Sequence, residues 1–429
     1  MKSIFKRIVV AILTFEAKLL VRRTKPQVIA VTGSVGKTSV KDAIYEVFKG
    51  RMHVRKSEKS YNSELGVPLS VLGLPNAWNN PLGWLKNILD GAFLVIHPGN
   101  YPKLLVLEMG VDRPGDMDKL TAWIKPDVVV LTRLPDVPVH VEFFASPEAV
   151  IAEKEKLVHA LKPEGVLVFN QDDERVVKIA QGMRQQSIGY SRYAHSPFMT
   201  SADRIVYENG RAVGFEFVLT HVDRTATFRV NGTVGVQHAY NYAASAAVAS
   251  VFQIDMDAVG EALRDFVPPP GRMRLIPGLK ETLLIDDTYN SSPAASEQSL
   301  MTLGDLKGVK RRIAVLGDMM ELGQFSTREH ERIGALVPKY ADKLVTIGVR
   351  ARGFAVGARN AGMDEKHILE FSDAVSAGRE LQALIKPGDV LLVKGSQSIR
   401  GERFVEELMA EPDRAEELLV RQDAVWQTK

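Results

Sequence analysis

Within residues 3–23 the apolar positions Ile4, Ile8, Ile12, Phe15 and Leu19 recur every three or four residues with basic side chains between and after them, which predicts an amphipathic helix. Pro26 ends it, since proline cannot donate to the helical ladder. From Gln27 the pattern changes to short β-branched runs separated by helical stretches. VIAV (28–31), LLVLEM (104–109), VVVLT (128–132) and VLVFN (166–170) read as buried strands, and their alternation with helices predicts a mostly parallel sheet covered by helices. Residues 203–230 read instead as antiparallel strands about an Asn209-Gly210 turn. HAYNYAASAAVASVF (238–252) predicts a small-residue helix packed closely on a sheet. Pro268-Pro269-Pro270-Gly271 cannot continue a helix and marks a domain boundary. Beyond it LLIDD (283–287), RIAVLGD (312–318), KLVTIG (343–348) and DVLLVKG (389–395) alternate with helical stretches, the pattern of a second α/β domain. The expected organisation is an α/β chain: a basic helix over 1–25, a central domain over 26–270 and a C-terminal domain over 271–429. Residues 76–103 hold two of the four Trp and many apolar side chains, and they stand apart from both patterns.

Composition narrows the chemistry. With 429 residues, 45% apolar and 25% charged, the chain has the make-up of an ordinary globular protein of two or three domains. A net charge of +3 gives no electrostatic case for nucleic acid. The distribution is uneven, however. Residues 1–25 carry Lys2, Lys6, Arg7, Lys18, Arg22, Arg23 and Lys25 against Glu16 alone, a local +6 that leaves −3 for the remainder. Two readings of this helix stand open: packing on the first domain, or contact with a membrane surface or partner through its basic face. The absence of cysteine excludes disulfides, thiol nucleophiles and Cys-ligated metals, and it suits a reducing cytoplasm. Ile8 to Phe15 is the longest charge-free run near the N-terminus, well short of the ~18–20 residues that span a bilayer. No small-residue cleavage site follows it, so a secretory signal is not expected.

The strongest local signal is VIAVTGSVGKTSVKDAIYEVF, a buried strand, a glycine-containing turn and a helix. Gly33 and Gly36, with Ser34 between them, let backbone N–H groups surround a phosphate. Lys37 supplies a point charge, and a hydroxyl of Thr38 or Ser39 can coordinate Mg²⁺ at the helix N-terminus. The spacing G-x-x-G-K-T-S is shorter than the common G-x-x-x-x-G-K-[ST], since position 31 is Val. A P-loop needs an acid on a neighbouring strand to hold the metal, and Glu108 stands at the end of LLVLEMG.

TGSVGKTS, the strand-end Glu of LEMG, His140 followed fourteen residues later by Lys154 in EKEKL, HAYNYAASAA, GRMR, DDTYNSSP, LGDMMELG with Ser326 and His330 after it, and LVKGSQS resemble, in this order, the motifs of the Mur ligases. Within that family the resemblance is to the D-alanyl-D-alanine-adding ligases, and it covers about residues 27 to 410. It implies an ATP-dependent amide ligase of peptidoglycan synthesis, with a central P-loop ATPase domain on a mostly parallel sheet followed by a Rossmann-like C-terminal domain. It further implies that Gly33, Gly36, Lys37 and Thr38 hold the β- and γ-phosphates of ATP. Thr38 or Ser39 with Glu108 would hold a first Mg²⁺, and His140 with a carbamylated Lys154 a second. Asn241 would contact adenine, with His238 close by on the same helix. Arg272 would reach the γ-phosphate and Asp287 the ribose, while Tyr289, Asn290 and Ser292 would meet the amino substrate. Because these residues belong to two domains, the site should be completed by domain closure.

The chain also departs from the family. Peptidoglycan ligases place a UDP-sugar-binding domain before the P-loop, whereas Gly33 is preceded here by 32 residues, fewer than the roughly 50 a domain needs. The expectation is that this domain is lacking and that UDP alone is not bound tightly. The carboxylate donor is then either a cell-wall peptide precursor or a carrier without UDP, as in folylpolyglutamate and cyanophycin synthetases. A third reading is a non-catalytic, ATP-binding partner subunit. The expected protein is a monomer that takes small-molecule substrates and no nucleic acid, cytoplasmic or peripheral at the inner membrane surface.

Overall fold

The computed structural model describes residues 3–58, 61–423 and 426; Lys2 of the basic segment lies outside them. Helix α1 (Ser3–Thr24) precedes a nine-stranded sheet. Its strands are β1 (Gln27–Thr32), β2 (Val54–Lys56), β3 (Leu104–Glu108), β4 (Val128–Leu131), β5 (Val166–Asn170), β6 (Gln186–Ser191), β7 (Phe198–Glu208), β8 (Arg211–His221) and β9 (Arg224–Asn231). They lie in the order β2-β3-β1-β4-β5-β6-β7-β8-β9. Pairing is parallel from β2 to β7 and antiparallel from β7 to β9, with Asn209-Gly210 at the first hairpin turn.

Period-two alternation explains why the parallel strands are apolar throughout. Val28 and Ala30 of β1 and Leu105 and Leu107 of β3 face one core, while Ile29, Val31, Leu104 and Val106 face another. The first core takes α1 and α3 (Gly66–Leu72). The second takes α2 (Lys37–Lys49) and the helix Gln237–Val251, whose Ala243, Ala244 and Ala247 let it approach the sheet closely. Residues 76–103, apart in the sequence pattern, contain α4 (Pro81–Ile96), capped by Asn80 and laid beside α1.

The amphipathic stripe of α1 turns out differently from its sequence pattern. The helix buries Val9, Leu13, Ala17 and Leu20, while Ile8 and Phe15 of the expected apolar face point to solvent. Apolar side chains occupy two faces of α1, and contact with α3 and α4 selects one.

A second sheet follows Gly271. It comprises β10 (Arg274–Pro277), β11 (Leu283–Asp287), β12 (Arg311–Gly317), β13 (Lys343–Ile347), β14 (Ile368–Phe371) and β15 (Asp389–Lys394), in the order β10-β11-β15-β12-β13-β14. All neighbours are parallel except β10 with β11. Leu300, Leu303, Ile333 and Val337 pack on one face, Leu381, Phe404 and Val405 on the other. The α/β class expected from the sequence is thus realised as two doubly covered, mostly parallel sheets. Glu108, Asp287 and Lys394 stand where strands of the two sheets end.

Candidate active site

The turn after β1 is built around two glycines that no other residue could replace without strain. Gly33 has φ 131°, and a Cβ there would stand 2.0 Å from Thr132 Oγ1. Gly36 adopts the left-handed conformation as the N-cap of α2, and no side chain caps that helix. The first-turn N–H groups are therefore left for an anion, with Lys37 at the first helical position. Asn241 of the helix Gln237–Val251 reaches the same turn, its Oδ1 being 3.5 Å from where a Gly36 Cβ would stand. Next to it His238 is fully buried, its Nε2 2.8 Å from Thr233 Oγ1, and burial lowers its pKa to about 4.

Glu108 ends β3, directly opposite Val31 of β1. Its Oε1 accepts from Asn62 Nδ2 at 3.0 Å, whereas its buried Oε2 has no hydrogen-bond partner. An orphaned carboxylate oxygen facing a P-loop fits a cation. Among the described residues no three His, Asp or Glu side chains converge as a metal cage. A single carboxylate oxygen is the kind of donor that Mg²⁺ takes beside substrate phosphates and water. Lys37 is half-buried, and desolvation lowers its pKa against the opposing pull of Glu108.

Lys154 lies on the helix Pro147–His159 and is almost fully buried, with its Nζ donating to Ser34 Oγ at 2.8 Å. Burial, reinforced by the charge of Lys37, drives its pKa well below the usual lysine value. The donor chemistry fits a carbamate, because only the neutral amine captures CO₂. His140, held at φ 70°, makes other contacts: its Nδ1 is 2.8 Å from Glu321 Oε2 and its Nε2 3.7 Å from Asp112 Oδ1. His140 and Lys154 thus have different partners, Lys154 the P-loop's Ser34 and His140 two acids outside the turn. The His140 contact holds the Glu321 carboxyl below its ordinary pKa.

The second sheet supplies the opposite wall of a cleft of about 650 Å³. Arg272 lies over the Tyr289 ring at 4.0 Å, and its buried Nε has no hydrogen-bond partner. Asp287, at the end of β11, accepts from Lys394 Nζ at 2.6 Å and from Ser299 Oγ at 2.7 Å. Lys394 also donates to the Asn290 carbonyl at 3.1 Å. Ser292 caps the helix Pro293–Asp305 through Ala295 N–H while bordering the cleft. The wall brings together Ser34, Gly36, Lys37, Thr38, Ser39, Glu108, His140, Asn241, Arg272, Asp287, Tyr289, Asn290 and Ser292, all expected from sequence. Gly33 and Lys154 stand behind it. Sequence reasoning gave no role to Glu321, Asp112 or Lys394, although GDMMELG and LVKGSQS each carry one of them. His330, in the same stretch, is structural: its Nε2 accepts from Met319 N–H at 2.9 Å and its Nδ1 meets the Ser326 carbonyl at 2.7 Å.

This cleft has a P-loop on one side and an arginine and an aspartate from a second α/β sheet on the other, and the chain belongs to the Mur ligase family. Residues 31–249 match the Mur ligase middle domain and residues 271–397 the Mur ligase glutamate ligase domain. The protein is accordingly an ATP-dependent, ADP-forming ligase. It is 27% identical over 399 residues to the UDP-N-acetylmuramoyl-tripeptide–D-alanyl-D-alanine ligase of Bacillus subtilis, covering 92% of this chain and 79% of the relative. A MurF ligase of Thermotoga maritima, solved with ADP, superposes with a TM-score of 0.75 at 26% identity, covering 95% of this chain and 84% of the other. The folylpolyglutamate synthase of Mycobacterium tuberculosis shares the fold, with a TM-score of 0.65 at 16% identity and coverage of 92% and 94%.

Proposed function

We propose that this ligase joins an amino acid or a dipeptide such as D-Ala-D-Ala to the carboxylate of a cell-wall peptide precursor through an acyl phosphate. The curated relatives named for D-alanyl-D-alanine addition support the substrate class. The observation that carries the reaction type is the meeting, in one cleft, of Lys37, the orphaned Glu108 Oε2 and the orphaned Arg272 Nε. In this reading the N–H groups of the Gly33–Ser39 turn and Lys37 hold the β- and γ-phosphates. Asn241 meets adenine, and Asp287, fixed by Lys394, meets the ribose. Thr38 or Ser39 with Glu108 would hold one Mg²⁺, and His140 with carbamylated Lys154 a second; bound there, the ions would offset negative charge on the transferring phosphoryl group.

The donor carboxylate attacks the γ-phosphorus in line, the bond to the ADP oxygen breaks, and an acyl phosphate forms. Arg272 and Lys37 stabilise the charge spread over the phosphoryl oxygens. The amine, held near Tyr289, Asn290 and Ser292, then attacks the acyl carbon; the C–O bond to phosphate breaks, and the amine's proton passes to the departing phosphate as the amide forms.

ADP release, measured with UDP-linked and UDP-free carboxylate donors and with D-Ala-D-Ala or single amino acids as amines, tests the proposal. Release should require both substrates and peak with a cell-wall peptide donor. Lys37→Ala should lower it by about 10²-fold or more with the fold unchanged. ADP formation retained in a folded Lys37→Ala variant would remove the P-loop assignment. Turnover with UDP-free donors alone would move the enzyme toward the folylpolyglutamate-type reaction, and ATP binding without amide product toward a partner subunit.

A further inference from the structure

Helices α1 and α4 run side by side in the same direction. Arg23 Nη1 donates to the Val95 carbonyl at 2.9 Å, and Glu16 lies so close to Gly91 that a Cβ there would stand 2.2 Å from its Oε2. Their inner faces are buried through Val9, Leu13 and Leu20 on α1 and Trp84, Asn87 and Gly91 on α4. Their outer faces are apolar as well. On α4 the exposed positions are Leu82, Leu85, Leu89, Phe93 and Ile96, each between 54% and 76% accessible. On α1 they are Phe5, Ile8 and Phe15. At about 100° per residue the α4 group centres opposite Trp84, Asn87 and Gly91. With the helices parallel and in contact along Glu16 and Arg23, the α1 group opens to the same side. Singly scattered exposed apolar residues are ordinary, but a continuous two-helix surface marks an interaction site.

The charges around this surface identify its occupant. Lys6, Arg7, Arg22, Arg23 and Lys25 are exposed along α1 and just after it. The acids of the two helices are otherwise engaged, Glu16 being buried and Asp90 paired with Lys86. A second copy docked symmetrically would set this cationic rim against itself. No described helix is long and apolar enough to cross a membrane. We infer that the α1–α4 face docks on an anionic lipid bilayer, lying in the interface with Leu85, Leu89, Phe93, Ile8 and Phe15 inserted and the basic side chains against the headgroups. The ligase would then work at a membrane surface, and this inference stands apart from the reading of its substrates.

Flotation of the full chain with vesicles of phosphatidylcholine alone or mixed with phosphatidylglycerol tests it, with the oligomeric state measured in parallel. The protein should float with the anionic vesicles, less at high salt, and little with phosphatidylcholine alone. Leu89→Ser with Phe93→Ser should weaken binding by about tenfold or more, and Lys6→Ser with Arg7→Ser by about fivefold per lost charge. ADP release in solution should be unchanged in both, so loss of vesicle binding is distinguishable from loss of the ligase. The inference is overturned if the wild type does not float with anionic vesicles or if neither pair weakens binding. It is equally overturned if the chain is a lipid-indifferent dimer that the apolar pair dissociates.

Discussion

Lys154 is an amine in a place that disfavours a cation. It is buried beside Lys37, and among the described residues its hydrogen-bond partner is the Ser34 hydroxyl. A carbamate there would replace repulsion of Lys37 by attraction. Lys154→Ala is therefore expected to lose about 10²-fold or more in ADP release, with partial rescue by added short carboxylic acids. Activity of the wild type should fall in CO₂-depleted buffer and return with bicarbonate; an alanine variant of full activity would end the proposal. His238 makes the opposite use of burial, since its neutral ring is what the fold accepts. Its pKa falls from 6.5 to about 4 on folding. Below pH 6.5 the unfolded chain binds a proton that the folded chain refuses, so stability is lost as pH falls and the loss levels off below about 4. Over that window it amounts to about 3 kcal/mol. Urea unfolding of the wild type against His238→Gln should show the variant losing less stability across the same range.

At the scale of elements, the α1–α4 pair carries a buried acid at its contact. Burial raises the Glu16 carboxyl to about 7, and its Oε2 has no hydrogen-bond partner. Here the sign is reversed. The folded state prefers the protonated acid, so the favourable contribution is complete below about pH 4.5 and disappears as pH rises through about 7. Glu16→Gln should raise stability above neutrality by on the order of 1 kcal/mol and make no difference at pH 4 to 5. Protease cleavage after α1, followed against pH, reads this directly; an unchanged or faster cleavage of the variant at pH 8 would contradict it. In the P-loop element a Cβ at Gly33 would meet Thr132 and one at Gly36 would come within 3.5 Å of Asn241, so the turn is confined between the sheet and the helix Gln237–Val251.

For the whole molecule, the cleft joins groups from two sheets that meet near Thr233, whose hydroxyl donates to the Met273 carbonyl at 2.9 Å. A second bridge crosses from Glu321 of the second sheet's loop to His140 and to Glu142 N–H, the latter at 3.3 Å. In the proposed reading Arg272 and Asp287 reach a nucleotide held by Lys37 and Asn241, so binding should draw the two sheets together. Small-angle scattering is expected to show a smaller radius of gyration with a non-hydrolysable ATP analogue. Arg272→Ala should bind the analogue yet fail to compact; a wild type that stays unchanged at saturation would rule closure out.

The sequence by itself determined what local geometry can encode. Strand apolarity, the Asn209-Gly210 hairpin, the small-residue helix and the Gly33–Ser39 turn were all readable because each depends on residues within a turn or a strand of one another. The eight ordered motifs located the cleft residues as well, through resemblance. Strands β2, β6 and β14 escaped, since their burial is partial and their pairing is supplied by a neighbour already in place. Tertiary structure alone decided the rest. Ser34 and Lys154 are 120 residues apart, and Asp287 and Lys394 are 107, so their pairing depends on strand order rather than on any periodicity. Glu321 is a partner of His140 only because the second sheet's loop stands against the first domain's 3₁₀ turn. The direction of α1 was undetermined for the same reason. A helix apolar on two faces carries no record of which will be buried, and the choice fell to α3 and α4, which cover Val9, Leu13 and Leu20 and leave Ile8 and Phe15 outside.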